Sequence, residues 1–181
     1  MASEFQRGKV TGVFEAMGGD RDGYLRESDF TALADRWTEL RGAPYGSGEY
    51  ARLHDVMMGW WSTLRAAGVR DDRVTVDDVL TVVDRLTEMP DAVAETAEAM
   101  FEAVDENGDG RISAAEYRQL IEAWNGRPTN TDEVFARLDL DGDGSLSLDE
   151  FVVLWTQFWS GDDPAAPGTW VFGRGTAQSR T

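Results

Sequence analysis

Two segments of the sequence carry oxygen-bearing side chains at a regular spacing. One runs from Asp105 to Glu116 and the other from Asp139 to Glu150. Each has Asp or Asn at positions 1, 3 and 5, Gly at position 6 and Glu at position 12. Carboxylates crowded so closely repel one another at neutral pH unless a cation lies among them. The spacing therefore predicts two cation sites in the same half of the chain.

Calcium is the cation that this set of donors suits. It takes about six to eight oxygen ligands at roughly 2.3–2.6 Å, and a loop of this pattern supplies them from side chains, from the position 7 carbonyl and from both oxygens of a final Glu. Gly110 and Gly144 stand at position 6, where the bend requires a positive φ. The predicted ligands are Asp105, Asn107, Asp109, Arg111 through its carbonyl and Glu116, and Asp139, Asp141, Asp143, Ser145 through its carbonyl and Glu150.

The end of each loop has a second interpretation. Ser113 with Glu116, and Ser147 with Glu150, match the capping box that starts a helix. This interpretation explains position 12 without a metal ion. It leaves the acidic residues at positions 1, 3 and 5 unexplained, so the calcium interpretation is preferred.

The two loops belong to a pattern that is repeated along the chain. An apolar stripe with the spacing i, i+3, i+4, i+7 follows an acidic residue four times, and such a stripe predicts a helix. The four stripes begin at Phe30, Val79, Tyr117 and Phe151. The repeat predicts an all-α fold of four helix–loop–helix units, packed as two pairs in one compact globule.

The two intact loops match the pattern D-x-[DN]-x-[DN]-G-x5-E in tandem, and in this they resemble the EF-hand superfamily. We predict an N-terminal pair over residues 1–88, a C-terminal pair over 89–160, and a final segment over 161–181 that is partly docked and partly disordered. Ile112 and Leu146, both at position 8, are expected to face each other across a short antiparallel bridge.

The two N-terminal loops are weaker copies. In the first, Gly18 stands at position 1, where a carboxylate belongs, and position 12 is an Asp, which suits magnesium better than calcium. The remaining candidate ligands are Asp20, Asp22, the Tyr24 carbonyl and Asp29. A third, weak calcium or magnesium site is one hypothesis for this loop, and a structural relic is the favoured one. The second loop, with Val74 at position 8, has lost its ligands.

Composition restricts the classes of partner. The chain has 17 basic and 34 acidic residues, a formal charge of −17, which disfavours nucleic acid and anionic membranes. It has no Cys and a single histidine, His54, so thiolate and imidazole metal clusters are excluded. No nucleotide-binding or nucleophile motif is present, and we expect no enzymatic activity. The N-terminal residues lack the apolar core of a secretory signal, and we expect a cytoplasmic monomer.

The chain as a whole resembles the sarcoplasmic calcium-binding proteins and their bacterial counterpart, calerythrin. The shared features are four helix–loop–helix units (EF hands), a second unit without a metal site, a long first connection and many aromatic residues. The C-terminal stretch around Trp170 and Phe172 also resembles the closing segment of that family, which folds back onto the molecule. The resemblance implies a calcium buffer or store. Gly18 departs from the family, in which the first hand is usually a working site. The alternative function is a calcium sensor that exposes an apolar groove to a partner protein.

Overall fold

The computed structural model describes residues 2–18 and 22–173 of the chain, and in that part the chain is almost wholly helical. The α-helices are α1 Glu4–Met17, α2 Glu27–Arg41, α3 Gly48–Ala67, α4 Val76–Thr87, α5 Pro90–Val104, α6 Ala114–Asn125, α7 Asp132–Leu138 and α8 Leu148–Ser160. Two short strands, β1 Arg111–Ser113 and β2 Ser145–Ser147, and a 3-10 helix, Pro167–Trp170, complete the order. The predicted all-α fold is confirmed.

Local sequence explains where the helices begin and end. Thr75, Ser113 and Ser147 each accept a hydrogen bond from a backbone N–H three residues later, and a carboxylate at that later position binds back, which forms a capping box. At the other end, Gly42 and Gly126 terminate α2 and α6 with φ of 65° and 69°, a conformation that glycine adopts at little cost.

The loops are paired back to back. Strands β1 and β2 are antiparallel with Ile112 opposite Leu146, which confirms the predicted pairing. In the N-terminal half, Leu25 and Val74 form an isolated antiparallel bridge with N–H···O distances of 2.9 and 2.8 Å. The two weak loops therefore keep the pairing of intact ones.

The two halves share one apolar core. Helix α2 packs on α6, α3 packs on α5, and α1 contacts both α6 and α8. Trp37 and Trp155 are almost fully buried. A cavity of about 50 Å³ lies between the halves and is lined by apolar side chains that include Trp60, Trp124 and Trp159.

Basic side chains of the N-terminal half bind the carboxyl ends of helices in the other half. Arg36 Nε donates to the Ala123 carbonyl at the end of α6 over 2.9 Å. Arg41 donates to the Ala103 and Val104 carbonyls at the end of α5 over 2.6 and 2.8 Å. These carbonyls have no partner inside their own helix, and a cation there also offsets the negative end of the helix dipole.

The C-terminal segment folds back onto the molecule, an arrangement that the resemblance implies and the residues alone do not. Val171 and Phe172 are buried, and the Tyr117 hydroxyl donates to the Val171 carbonyl over 3.0 Å. The predicted disorder of residues 174–181 lies outside the described residues. In the described ranges, none of the helices combines the length and apolarity that a membrane span requires.

Candidate metal centres

The third loop is organised around Asp105. Its two carboxylate oxygens accept N–H groups from residues 108, 109 and 110 at 2.9–3.2 Å, and the side chain is mostly buried. Asn107 and Asp109 each accept an N–H from the residue two positions later, at 3.1 and 2.9 Å. Gly110 has φ of 78°, which allows the backbone to curl around these oxygens.

The fourth loop repeats this arrangement. Asp139 accepts N–H groups from residues 142, 143 and 144 at 2.8–3.2 Å. Asp141 accepts the Asp143 N–H over 3.1 Å, and Asp143 accepts the Ser145 N–H over 2.9 Å. Gly144 has φ of 86°. The same bonds at the same loop positions indicate that both loops have one backbone conformation.

The glutamate at position 12 closes each loop. Glu116 is buried, and its carboxylate accepts the Ser113 N–H over 2.7 Å and the Glu106 N–H over 3.0 Å. Glu150 does the same with the N–H groups of Ser147 and Leu140, at 3.1 and 2.8 Å. The capping box and the proposed ligand role therefore coexist, because one carboxylate both starts the helix and lies at the metal loop.

The carboxylates of the fourth loop converge. One oxygen each from Asp139, Asp141, Asp143 and Glu150 lies within 4.8 Å of the others. The hydrogen bond from the Asp143 N–H lowers the pKa of Asp141, but desolvation and the charges of Asp143 and Glu150 outweigh it and raise that pKa. Four hard oxygen donors that repel one another suit a divalent calcium ion.

The third loop differs at position 3. The Asn107 amide nitrogen lies 3.3 Å from the Asp109 carboxylate oxygen to which it donates. An amide–carboxylate contact thus stands where the fourth loop has two carboxylates. The ligand set of the third loop stays a prediction, because among the described residues only the carboxylates of the fourth loop form a group within 4.8 Å.

The side chain of Arg111 was missed by the sequence reasoning, which assigned this residue only a backbone carbonyl. Its guanidinium lies 2.9 Å from Asp143 Oδ2 in the neighbouring loop. Hydrogen bonds from Ser145, followed by the Arg111 charge, hold the pKa of Asp143 below its usual value. The only sequence signal for this contact is the antiparallel pairing of the two loops, which places residue 111 beside the fourth loop.

The first loop has an internal cation among its candidate ligands. The Arg26 guanidinium binds Asp22 Oδ2 at 2.7 Å and lowers the pKa of Asp22, while the Arg26 N–H donates to Asp29 over 2.8 Å. Tyr24 donates its N–H to Asp22, and Asp20 lies outside the described residues. The carboxylate of Asp22 is thus paired with a cation of its own loop, whereas the bond of Asp29 is one that Glu116 and Glu150 also make. A third metal site stays a prediction without geometric support.

Comparison with known proteins identifies the family. A family described as the EF-hand domain pair matches residues 94–156, which contain both intact loops. The chain is a calcium-binding EF-hand protein. It is 28% identical over 168 residues to the sarcoplasmic calcium-binding protein, alpha-B and -A chains, of Penaeus sp., a match that covers 85% of this chain and 88% of that protein. Calerythrin of Saccharopolyspora erythraea is 28% identical over 162 residues, with 82% and 88% covered.

Solved structures support the same fold. The coelenterazine-binding protein of Renilla muelleri has a TM-score of 0.73 at 18% identity, covering 95% of this chain and 99% of that one. A Streptomyces coelicolor calcium-binding protein has a TM-score of 0.68 at 24% identity, covering 87% and 99%. The chain resembles the sarcoplasmic calcium-binding proteins and calerythrin over most of its length. They are calcium-binding proteins and not enzymes, which confirms that prediction.

Proposed function

We propose that the protein is a cytoplasmic calcium buffer or store that takes up two ions, one in each C-terminal loop. Calcium would be held by the ten predicted ligand residues of the third and fourth loops. The bound ion supplies positive charge that offsets the repulsion among the loop carboxylates. The protein's own contribution is to hold those oxygens close together through backbone N–H groups.

The burial of Phe172 is the observation that carries this proposal. Its ring centroid lies 4.8 Å from that of Trp124, 5.6 Å from that of Trp155 and 4.8 Å from that of Phe158. A sensor needs an apolar groove that a partner can enter. Here the chain's own C-terminal segment packs between α6 and α8, so a partner helix could enter that space only by displacing it.

Displacing that segment would be costly. Fully burying one Phe side chain stabilises a fold by about 1.5–3 kcal/mol, and aromatic pairs add further to this. Phe172 is only 3% exposed. A partner would have to replace these contacts before it gained any of its own, which favours a closed molecule with and without calcium.

If the protein is a sensor, calcium should instead expose an apolar surface, and this difference can be tested. We would measure the fluorescence of a hydrophobic dye with the purified protein in chelator and in millimolar calcium. A buffer should change dye binding less than about twofold, because its apolar faces stay covered. The variant Phe172→Ala serves as a positive control, since it should bind more dye in both conditions. A large calcium-dependent rise with the native protein would support the sensor.

Calcium should also stabilise the fold by mass action. A ligand that binds only the native state stabilises it by about 2.7 kcal/mol when its concentration is 100 times its dissociation constant. Calorimetric titration, repeated in excess magnesium, gives the number of ions and their selectivity. Two ions are expected, and fewer than two would contradict the proposal.

A further inference from the structure

Arg111 is part of one metal loop and contacts the other. It stands at position 7 of the third loop, where the backbone carbonyl is the expected ligand and the side chain is free to vary. Its guanidinium crosses to the fourth loop, 2.9 Å from Asp143 Oδ2 and 3.2 Å from Ser145 Oγ. The antiparallel pairing of β1 and β2 makes this reach possible.

Both oxygens of Asp143 have partners inside the protein. Oδ1 accepts the Ser145 N–H over 2.9 Å and the Ser145 hydroxyl over 3.1 Å, while Oδ2 binds Arg111. Asp143 belongs to the cluster of four carboxylates in the fourth loop. A positive charge of the third loop is therefore fixed beside a predicted ligand of the fourth.

We propose that the Arg111 side chain sets the calcium affinity of the fourth site, weakening it by placing a guanidinium on Asp143. This inference rests on the proposed binding of calcium by both loops. The fourth loop has no corresponding effect on the third site, because its matching residue is Ser145, which has no charge. Arg111 offsets the extra carboxylate that the fourth loop has over the third, where Asn107 occupies position 3.

The sign follows from electrostatics. A fixed positive charge a few ångströms from a divalent cation opposes its binding, and water and salt reduce the effect. The Arg111 side chain is 58% exposed, so the interaction is well screened. Removing the charge should tighten the fourth site by about three- to tenfold at low salt. The Ser145 N–H continues to orient Asp143 in the variant.

The experiment isolates the fourth site. The variant Glu116→Gln silences the third loop and keeps the capping box, because Gln serves at that helix position as Glu does. Arg111→Gln is then added, and calcium affinity is measured by calorimetry at low and high salt. The matched control is Arg118→Gln in the same background, since Arg118 also makes a surface ion pair, and its partner Asp132 belongs to neither loop.

The expected result is a fourth site about three- to tenfold tighter with Arg111→Gln than in the parent, with a smaller difference at high salt. Arg118→Gln should leave the affinity within about twofold. Without calcium, Arg111→Gln should lower the melting temperature by about one to three degrees, because Asp143 loses its counter-charge within an acidic cluster. This second readout needs no bound metal.

Three results would overturn the inference. One is an unchanged or weaker fourth site in Arg111→Gln, and another is an equal tightening by Arg118→Gln, which would make the effect one of net charge. Both leave calcium binding itself intact. The third is a parent variant that binds no calcium, which would overturn the proposed fourth site as well.

Discussion

The ammonium nitrogen of Lys9 on α1 lies 2.6 Å from the carbonyl oxygen of Phe158 in the last turn of α8. It also lies 2.8 Å from the Gly161 carbonyl and 3.2 Å from that of Gln157. Lys9 is the only lysine of the chain and is 1% exposed. One buried cation thus binds the Phe158 and Gly161 carbonyls and shares the Gln157 carbonyl with the Gly161 N–H, and it joins the first helix to the exit helix of the fourth loop.

Lys9→Met should destabilise the protein strongly. The variant keeps most of the buried side-chain volume but removes the donor of the Phe158 and Gly161 carbonyls, while the Gln157 carbonyl keeps the Gly161 N–H. Leaving a buried carbonyl without a donor costs about 1–3 kcal/mol, so we expect the free energy of unfolding to fall by about 2–4 kcal/mol at a pH well above 8, where Lys9 is neutral in the folded protein. Urea denaturation of the calcium-loaded protein measures it.

Arg7→Met is the matched control for this variant. Arg7 lies on the same helix and forms an ion pair with Asp77 at 2.8 Å, but the two side chains are 55% and 75% exposed. Exposed ion pairs contribute about 0–1 kcal/mol, so this variant should stay close to the native protein. If both substitutions lowered the free energy of unfolding equally, the contacts of Lys9 with α8 would contribute no more than an exposed ion pair.

The stability of the protein should rise with pH in the alkaline range. Burial lowers the pKa of Lys9 from 10.5 to about 8, and the charge of Asp162 partly opposes this. Between these values the unfolded chain holds a proton that the folded protein has released, so raising the pH favours the folded state. The neutral amine still donates hydrogen bonds to the carbonyls, which a methionine does not.

The measurement is the melting temperature at fixed calcium from pH 7 to pH 10. The contribution of Lys9 is absent well below pH 8, grows through the range above it, and is complete above pH 10.5. The same titration with Lys9→Met should lack this component. A difference between the two proteins that does not change with pH would contradict the prediction.

Much of the calcium-binding half could be predicted from the sequence because its determinants are local. Each intact loop carries its predicted ligands, its glycine and its capping box within twelve consecutive residues. Ile112 and Leu146 lie opposite each other because two such loops in tandem pair through their position 8 residues. Apolar stripes located the helices for the same reason, since their period is a local property.

The long-range side-chain contacts could not be predicted in this way. Lys9 and Phe158 are 149 positions apart, and Arg111 and Asp143 are 32 positions apart. Nothing in the periodicity or the loop motifs specifies which buried cation meets which helix end. Lys9 lies on the buried face of α1, and only the packed fold shows that its ammonium has carbonyl partners.

Replacing the position 12 glutamates should remove calcium ions one at a time. Glu116→Gln and Glu150→Gln each take away the carboxylate that closes one loop, while Gln still caps the helix. Calorimetry should then count one ion for each single variant and none for the double variant. Neighbouring Glu106→Gln and Asp149→Asn remove a charge without removing a predicted ligand, and both should still bind two ions. A two-ion count in either position 12 variant would show that its loop is not the site.

The first loop should bind an ion tightly only after two changes. Gly18 has φ −75° and ψ 104°, close to the −67° and 90° of Asp105 and the −73° and 87° of Asp139, so position 1 already has the backbone of a ligand. A β-carbon there would lie 3.5 Å from Leu25, an ordinary contact. The obstacle is the Arg26 guanidinium on Asp22.

Gly18→Asp combined with Arg26→Ser should therefore create a third calcium site. The serine matches Ser113 and Ser147 at position 9 of the intact loops, and the new aspartate supplies the missing carboxylate. Calorimetry should count three ions in the double variant and two in the native protein. Gly18→Asp alone should bind the third ion at least tenfold more weakly than the double variant, because the guanidinium still competes for Asp22. A third ion in the native protein would mean that the metal displaces Arg26 from Asp22. A double variant that binds only two ions would mean that Asp29 at position 12 is too short to close the loop.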